Sequence, residues 1–195
     1  MRRRAPVLLA AAVLAAAGLW LAGDGLYIRA KAVLAQHLLS RAWAETRDGA
    51  ARVKPWSWAD TWPVARLRAP RLGIDQIVLA GGSGRTLAFG PGHVDGTAAP
   101  GTPGLSVIGG HRDTHFAFLG DLTVTDRLLL ETTKDSFWLQ VTDIQVVNSA
   151  EAELNLWTED RLLTLVTCYP LDAQVPGGPL RLVVTAEPVP ALAMF

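Results

Sequence analysis

The chain has one cysteine, Cys168, among 195 residues. A single thiol cannot close an intramolecular disulfide, and alone it cannot hold a structural zinc. Three roles remain for it: core filler, bridge to a partner, or nucleophile. Charge is also scarce, at 18% of residues, and Lys plus Arg equals Asp plus Glu at 18 each, so the formal net charge is zero. No bulk basic field attracts nucleic acid, which argues against nucleic acid as a partner. Apolar residues are plentiful at 50%. That share excludes disorder as the main state, and the length suits one core with a short appendage rather than two catalytic domains.

Arg2, Arg3 and Arg4 precede an uncharged run from Ala5 to Gly23 that is mostly Ala, Leu and Val, with Trp20 near its far end. About 19 apolar residues suffice to cross a hydrocarbon core of about 30 Å as a helix. The arginines should stay cytoplasmic, giving a single-pass anchor over residues 1–23 with the rest of the chain outside the inner membrane. A cleaved secretory signal competes with this, but its apolar region is normally about 7 to 15 residues and precedes a clear small-x-small site, for which Ala22-Gly23 is a weak match. A buried core helix is the third reading, and the first two both export the domain.

Residues 24–63 form the next segment. Leu26, Ala30, Val33, Leu34, His37, Leu38 and Trp43 recur at helical spacing among Arg29, Lys31, Gln36 and Arg41, which predicts an amphipathic helix to about Thr46. The stretch Lys54-Pro55-Trp56-Ser57-Trp58-Ala59-Asp60-Thr61-Trp62-Pro63 follows, and its prolines break any regular element. We read its tryptophans as pinning an irregular linker onto the domain, in preference to a ligand-binding or membrane-interface surface.

Residues 64–195 read as short strands: Val64 to Ala69, Ile74 to Ala80, Leu105 to Gly109, Arg127 to Thr132, Phe137 to Val147, Leu162 to Cys168 and Leu180 to Ala186. β-branched and Leu-rich runs separated by Gly, Pro, Asp and Asn predict an all-β barrel or sandwich. The Gly- and Pro-rich stretch from Gly81 to Gly104 is long for a loop, with room for one helical turn around Arg85 to Phe89. Loops of that length are commonly functional.

Cys168 ends an apolar strand and is followed by Tyr169-Pro170, which stops regular pairing and leaves the thiol at the rim of a sheet. His111 lies where a strand runs into the polar loop Gly109-Gly110-His111-Arg112-Asp113-Thr114. Arg181 opens a strand after the turn Val175-Pro176-Gly177-Gly178-Pro179. A free thiol is only about 3% ionised at pH 7, so a nucleophilic Cys needs a nearby His or Arg. Acyl transfer through a thiolate also needs a proton donor for the leaving amine and a cation or amide pair for the oxyanion. Cys168, His111 and Arg181 supply one candidate each, although spacing alone does not bring them together.

Thr164-Leu165-Val166-Thr167-Cys168 resembles the Thr-Leu-x-Thr-Cys signature of sortases, membrane-anchored cysteine transpeptidases. Gly90-Pro91-Gly92-His93, Gly96-Thr97, Pro100-Gly101 and Gly104, leading to Gly110-His111-Arg112-Asp113-Thr114, resemble the segment around the family's catalytic His. Arg181 stands where the family places its Arg. The resemblance covers about Val64 to Ala186, and it departs from the family at Thr125-Asp126, where many relatives show Gly-Asp. The amphipathic helix and Trp-rich linker resemble those of proteobacterial members.

The resemblance implies a closed eight-stranded β-barrel with no cofactor. It also implies an exported protein substrate with a C-terminal sorting motif of the Leu-Pro-x-Thr-Gly kind, and an amine acceptor. Its catalytic residues would be Cys168, His111 and Arg181, with Thr167, Thr114 and His93 lining the substrate groove and His115 left without a catalytic role. A calcium site occurs in some sortases, but Glu151, Glu153, Glu159 and Asp160 read as solvated carboxylates, and no metal is expected. A tethered peptidase that only hydrolyses, and a non-catalytic binding barrel with a buried Cys168, are the alternatives.

Overall fold

The computed structural model describes residues 4–173, 175 and 177–189. They divide into two compact units, one up to His37 and one from Leu38 onward. Helix α1, Arg4–Arg47, runs for 44 residues. The anchor and the amphipathic segment are thus one helix, because no proline stands between Pro6, tolerated in the first turn, and Pro55, and the lone glycines Gly18, Gly23 and Gly25 do not break it. Gly49, at φ +103°, donates to Thr46 O, and Ala50 donates to Glu45 O, which closes the helix with a left-handed cap. Val7, Leu8, Leu14, Leu19, Trp20 and Leu21 are bare in the first unit. A long apolar helix with nothing packed on it is what a membrane anchor or an export signal requires.

The second unit is a closed barrel. Its strands are β1 (Pro63–Ala69), β2 (Ile74–Ala80), β3 (Gly92–His93), β4 (Gly104–Gly109), β5 (Arg127–Glu131), β6 (Ser136–Asn148), β7 (Arg161–Cys168) and β8 (Leu180–Pro188). They close in the order β1-β2-β3-β4-β7-β8-β6-β5. The pairs β2–β3 and β4–β7 are parallel and the rest antiparallel. β1 alternates buried and half-buried residues, as a wall with one face inward does. Leu67, Val78, Ile108, Phe116, Leu128, Leu139, Leu163, Leu165 and Val184 fill the interior. Ile77 and Leu79, on the outer face of β2, are covered by Leu39 and Trp43 of α1 and by Phe89.

The seven expected strands are present, with ends shifted by two residues at most. The eighth, β3, is two residues long and lies inside the stretch read as a loop; the helical turn there is α2, Gly84–Leu87, capped by the Ser83 hydroxyl. The Trp-rich linker is pinned as expected. The Thr61 hydroxyl donates to Ala80 O at 2.7 Å, and Trp56 meets Phe89 edge-on at 4.8 Å, while Trp58 is exposed.

Candidate active site

β7 lies between β4 and β8, and the candidate residues Cys168 and Arg181 lie on β7 and β8, with His111 just past the end of β4. Cys168 is the last residue of β7, directly opposite Arg181 of β8. Opposed residues of an antiparallel ladder share a face, with Cβ atoms about 4.5–5.5 Å apart. On the other side, β4 runs parallel to β7 with Gly109 opposite Val166, and the Gly110 amide donates to Val166 O at 3.1 Å. β4 ends at Gly109, two residues before His111, so the loop that carries His111 starts beside the end of β7. The sequence could not supply this convergence, because it depends on a parallel pairing between segments more than fifty residues apart.

Thr167 points to the opposite face from its neighbour Cys168. It is buried, and its hydroxyl donates to Gly110 O at 2.8 Å, tying the end of β7 to the residue before His111. His111 is exposed, whereas Cys168 and Arg181 are half-buried. The His111 loop folds back on itself: the amides of Thr114 and Phe116 donate to His111 O, and the Phe116 ring is sunk in the core. Thr114 is exposed beside this turn. Arg181 Nη1 donates to Gly178 O and Leu180 O, both at 2.8 Å, so the guanidinium is braced by the β7–β8 connection.

His93 of β3 stands opposite Ile108 of β4, one residue from the Gly109 end, but its side chain turns into its own loop. There its Nε2 meets Ala98 O at 2.8 Å and the Thr97 hydroxyl at 3.1 Å. It also borders a cleft of about 680 Å³ with Arg52, Trp62, Lys134 and Phe137 but not Cys168.

Two side chains around the site carried no assigned role in the sequence. Arg112, quoted only within a motif, sends Nη2 to Ala173 O at 2.6 Å and Val175 O at 3.2 Å, across to the β7–β8 connection. His115 is half-buried, and its carbonyl accepts from Gln76 Nε2 at 2.7 Å. Burial, and secondarily the charge of nearby His111, hold the His115 imidazole below its ordinary pKa, against a hydrogen bond to the Ala88 backbone. His115 is therefore suited to a neutral supporting role.

A family model described as the sortase domain matches residues 67–189. Sortase D of Bacillus subtilis (strain 168) is 28% identical over 124 residues, which are 63% of this chain and 62% of that protein. The chain thus spans a little under two thirds of that relative's length. Among solved structures, sortase C-1 from Actinomyces oris superposes with a TM-score of 0.59 at 32% identity, covering 66% of this chain and 73% of that one. A sortase D5 transpeptidase from Clostridium perfringens shares the fold, with a TM-score of 0.64 at 21% identity over 81% of this chain and 99% of that one.

Proposed function

The chain belongs to the sortase family, and from that premise we propose that it is a membrane-anchored cysteine transpeptidase acting through Cys168, His111 and Arg181. The observation that supports this reading is the register of β7 and β8, with Cys168 opposite Arg181, together with the exit of β4 at Gly109, the partner of Val166, two residues before His111. The Cys168 thiolate attacks the carbonyl before the scissile bond of a Leu-Pro-x-Thr-Gly-like motif on an exported protein. Arg181 faces the oxyanion that forms, the role for which a planar cation with several donors is suited. As the tetrahedral adduct collapses to a thioester, His111 gives its proton to the departing amine. It then takes a proton from the incoming amine, whose attack forms the new amide and frees the thiol.

Thr167 acts on this chemistry by holding Gly110, and through it the His111 loop, while Thr114 borders the groove. His93, hydrogen-bonded within its own loop, organises the segment between β3 and β4. The Trp-rich linker and long helix favour a proteobacterial-type member with the barrel on the outer side of the inner membrane.

The test incubates the full chain in detergent with a quenched Leu-Pro-Ala-Thr-Gly peptide and hydroxylamine, following the thioester by intact mass. The wild type should form it and release a hydroxamate. Cys168→Ala should form none while remaining folded, and Arg181→Ala should acylate about a hundred- to a thousandfold more slowly. Substantial turnover by Cys168→Ala would remove the mechanism.

A further inference from the structure

Arg112 spans the two loops that frame the Cys168 end of the barrel. It follows His111 directly, and its guanidinium grips the carbonyls of Ala173 and Val175. Those carbonyls belong to the segment that leaves Cys168 and returns the chain to Arg181. Toward its ends the segment is also tied by the Tyr169 amide to Leu180 O at 3.0 Å, the Ala173 amide to Pro170 O at 3.4 Å and the Ser149 amide to Pro179 O at 2.8 Å. Tyr169 and Leu171 pack on the core, but Asp172, Val175 and residues 177–180 are exposed, and Gly177 and Gly178 sit at φ +102° and +97°, where the backbone is least restrained. The same segment braces Arg181, whose Nη1 donates to Gly178 O and Leu180 O. Arg112 thus holds one part of the β7–β8 connection, at Ala173 and Val175, and Arg181 bonds to another, at Gly178 and Leu180.

We propose that Arg112 is a positioning residue that latches the β7–β8 connection to the His111 loop and so sets the placement of Arg181 and the width of the groove over Cys168. The role requires arginine. Both bonds leave one nitrogen, Nη2, whose two hydrogens are fixed in the guanidinium plane, whereas the rotatable ammonium of lysine presents no such fixed pair. Arg112 Nη1 is buried with no hydrogen-bond partner among the described residues. The side chain is therefore held for the reach of its other nitrogen and not by a complete set of bonds of its own. The latch bears on the transpeptidase reading but stands on different contacts, so the two can fail separately.

The experiment compares wild type, Arg112→Lys, Arg112→Ala and Arg181→Ala as full chains in detergent. It measures amide hydrogen exchange over residues 171–180 and steady-state transfer of the Leu-Pro-Ala-Thr-Gly peptide to hydroxylamine. Losing the charge-assisted bonds should speed exchange of those amides about ten- to a hundredfold in Arg112→Ala, with exchange in the core strands unchanged. KM for the peptide should rise along with a fall in kcat, and Arg112→Lys should recover only part of either. Arg181→Ala should lower kcat and leave exchange in residues 171–173 as in the wild type.

Unchanged exchange over 171–180 in folded Arg112→Ala would overturn the latch, whether or not activity falls. Full recovery of exchange and KM by lysine would overturn it as well. A wild type that forms no thioester would instead count against the transpeptidase reading, while the exchange data would still decide the latch.

Discussion

Thr125 has φ +84°, a left-handed conformation in which a β-branched side chain crowds the backbone. This is the position where many relatives show glycine, so the departure from the family carries a local strain. The turn is nonetheless kept, because the Thr125 amide donates to Val141 O at 2.8 Å and the next residue is heavily bonded. Thr125→Gly relieves the strain and gives back part of the gain as unfolded-chain entropy, for a net stabilisation of about 0.5–1 kcal/mol. Thr125→Ala, with its Cβ retained, should gain little, and thermal unfolding of the two variants separates them. The neighbouring Asp126 is buried. It takes Arg71 Nε and Nη2, with the Thr123 amide at 2.7 Å, and the Arg71 pair foremost, aided by Thr123, holds its pKa at about 2 against burial. A folded pKa below the unfolded value contributes stability that is present above about pH 4 and lost as pH falls through about 2. Arg71 is half exposed, so after solvent screening the contribution is about 1 kcal/mol. Asp126→Asn should lose it at pH 7 and show a flatter stability profile between pH 4 and 2 in urea titrations.

At the level of elements, the candidate site depends on how β4 leaves the barrel. A Cβ on Gly110 would lie 2.6 Å from the ring of Phe116, which is fully buried. Gly110→Ala should therefore move either the His111 loop or the core. Thr167→Val keeps the volume but removes the donor to Gly110 O, so it should cost about 1 kcal/mol of stability and slow thioester formation more than that loss of folded protein explains. Equal acylation rates per folded molecule would show that the bond only stabilises the barrel. The elements also mark what could be read in advance. Strands such as β7, with its run of Leu and Val ending at Cys168, announce themselves through hydrophobic patterning and a following proline. β3 does not, because two residues, Gly92 and His93, pair on both sides with nothing in their own composition to show it. His93 is expected at the groove only through the sortase resemblance. Pairing sets His93 opposite Ile108, near the exit toward His111, while its ring bonds to Ala98 O and Thr97; the role of Arg112 is not legible in sequence because its partners lie about sixty residues away.

For the whole molecule, the unit beginning at Leu38 contains every barrel strand and the last turns of α1. Those turns belong to its core: Leu39, Ala42 and Trp43 are at most 3% exposed, and Leu39 and Trp43 cover Ile77 and Leu79 on the outer face of β2. The apolar pattern of residues 24–46 predicted a single face from Leu26 to Trp43. In the structure Leu26, Val33 and Leu34 are exposed, and within the barrel unit burial follows the spacing of Leu39, Trp43 and Thr46, with Leu39 and Trp43 packed on Ile77 and Leu79. Removing residues 1–37 should thus leave a folded, detergent-free barrel that melts within a few degrees of the full chain. Removing residues 1–47 strips the outer face of β2 and should yield aggregated or unfolded protein. Within the shorter form, Trp43→Ala should cost about 3 kcal/mol, or about 10 °C in Tm. Trp43→Phe should cost far less, since it keeps most of the buried ring and removes an indole N–H that is buried without an acceptor among the described residues. Equal melting temperatures for Trp43→Ala and its parent would mean that the helix end is not part of the barrel's folding unit.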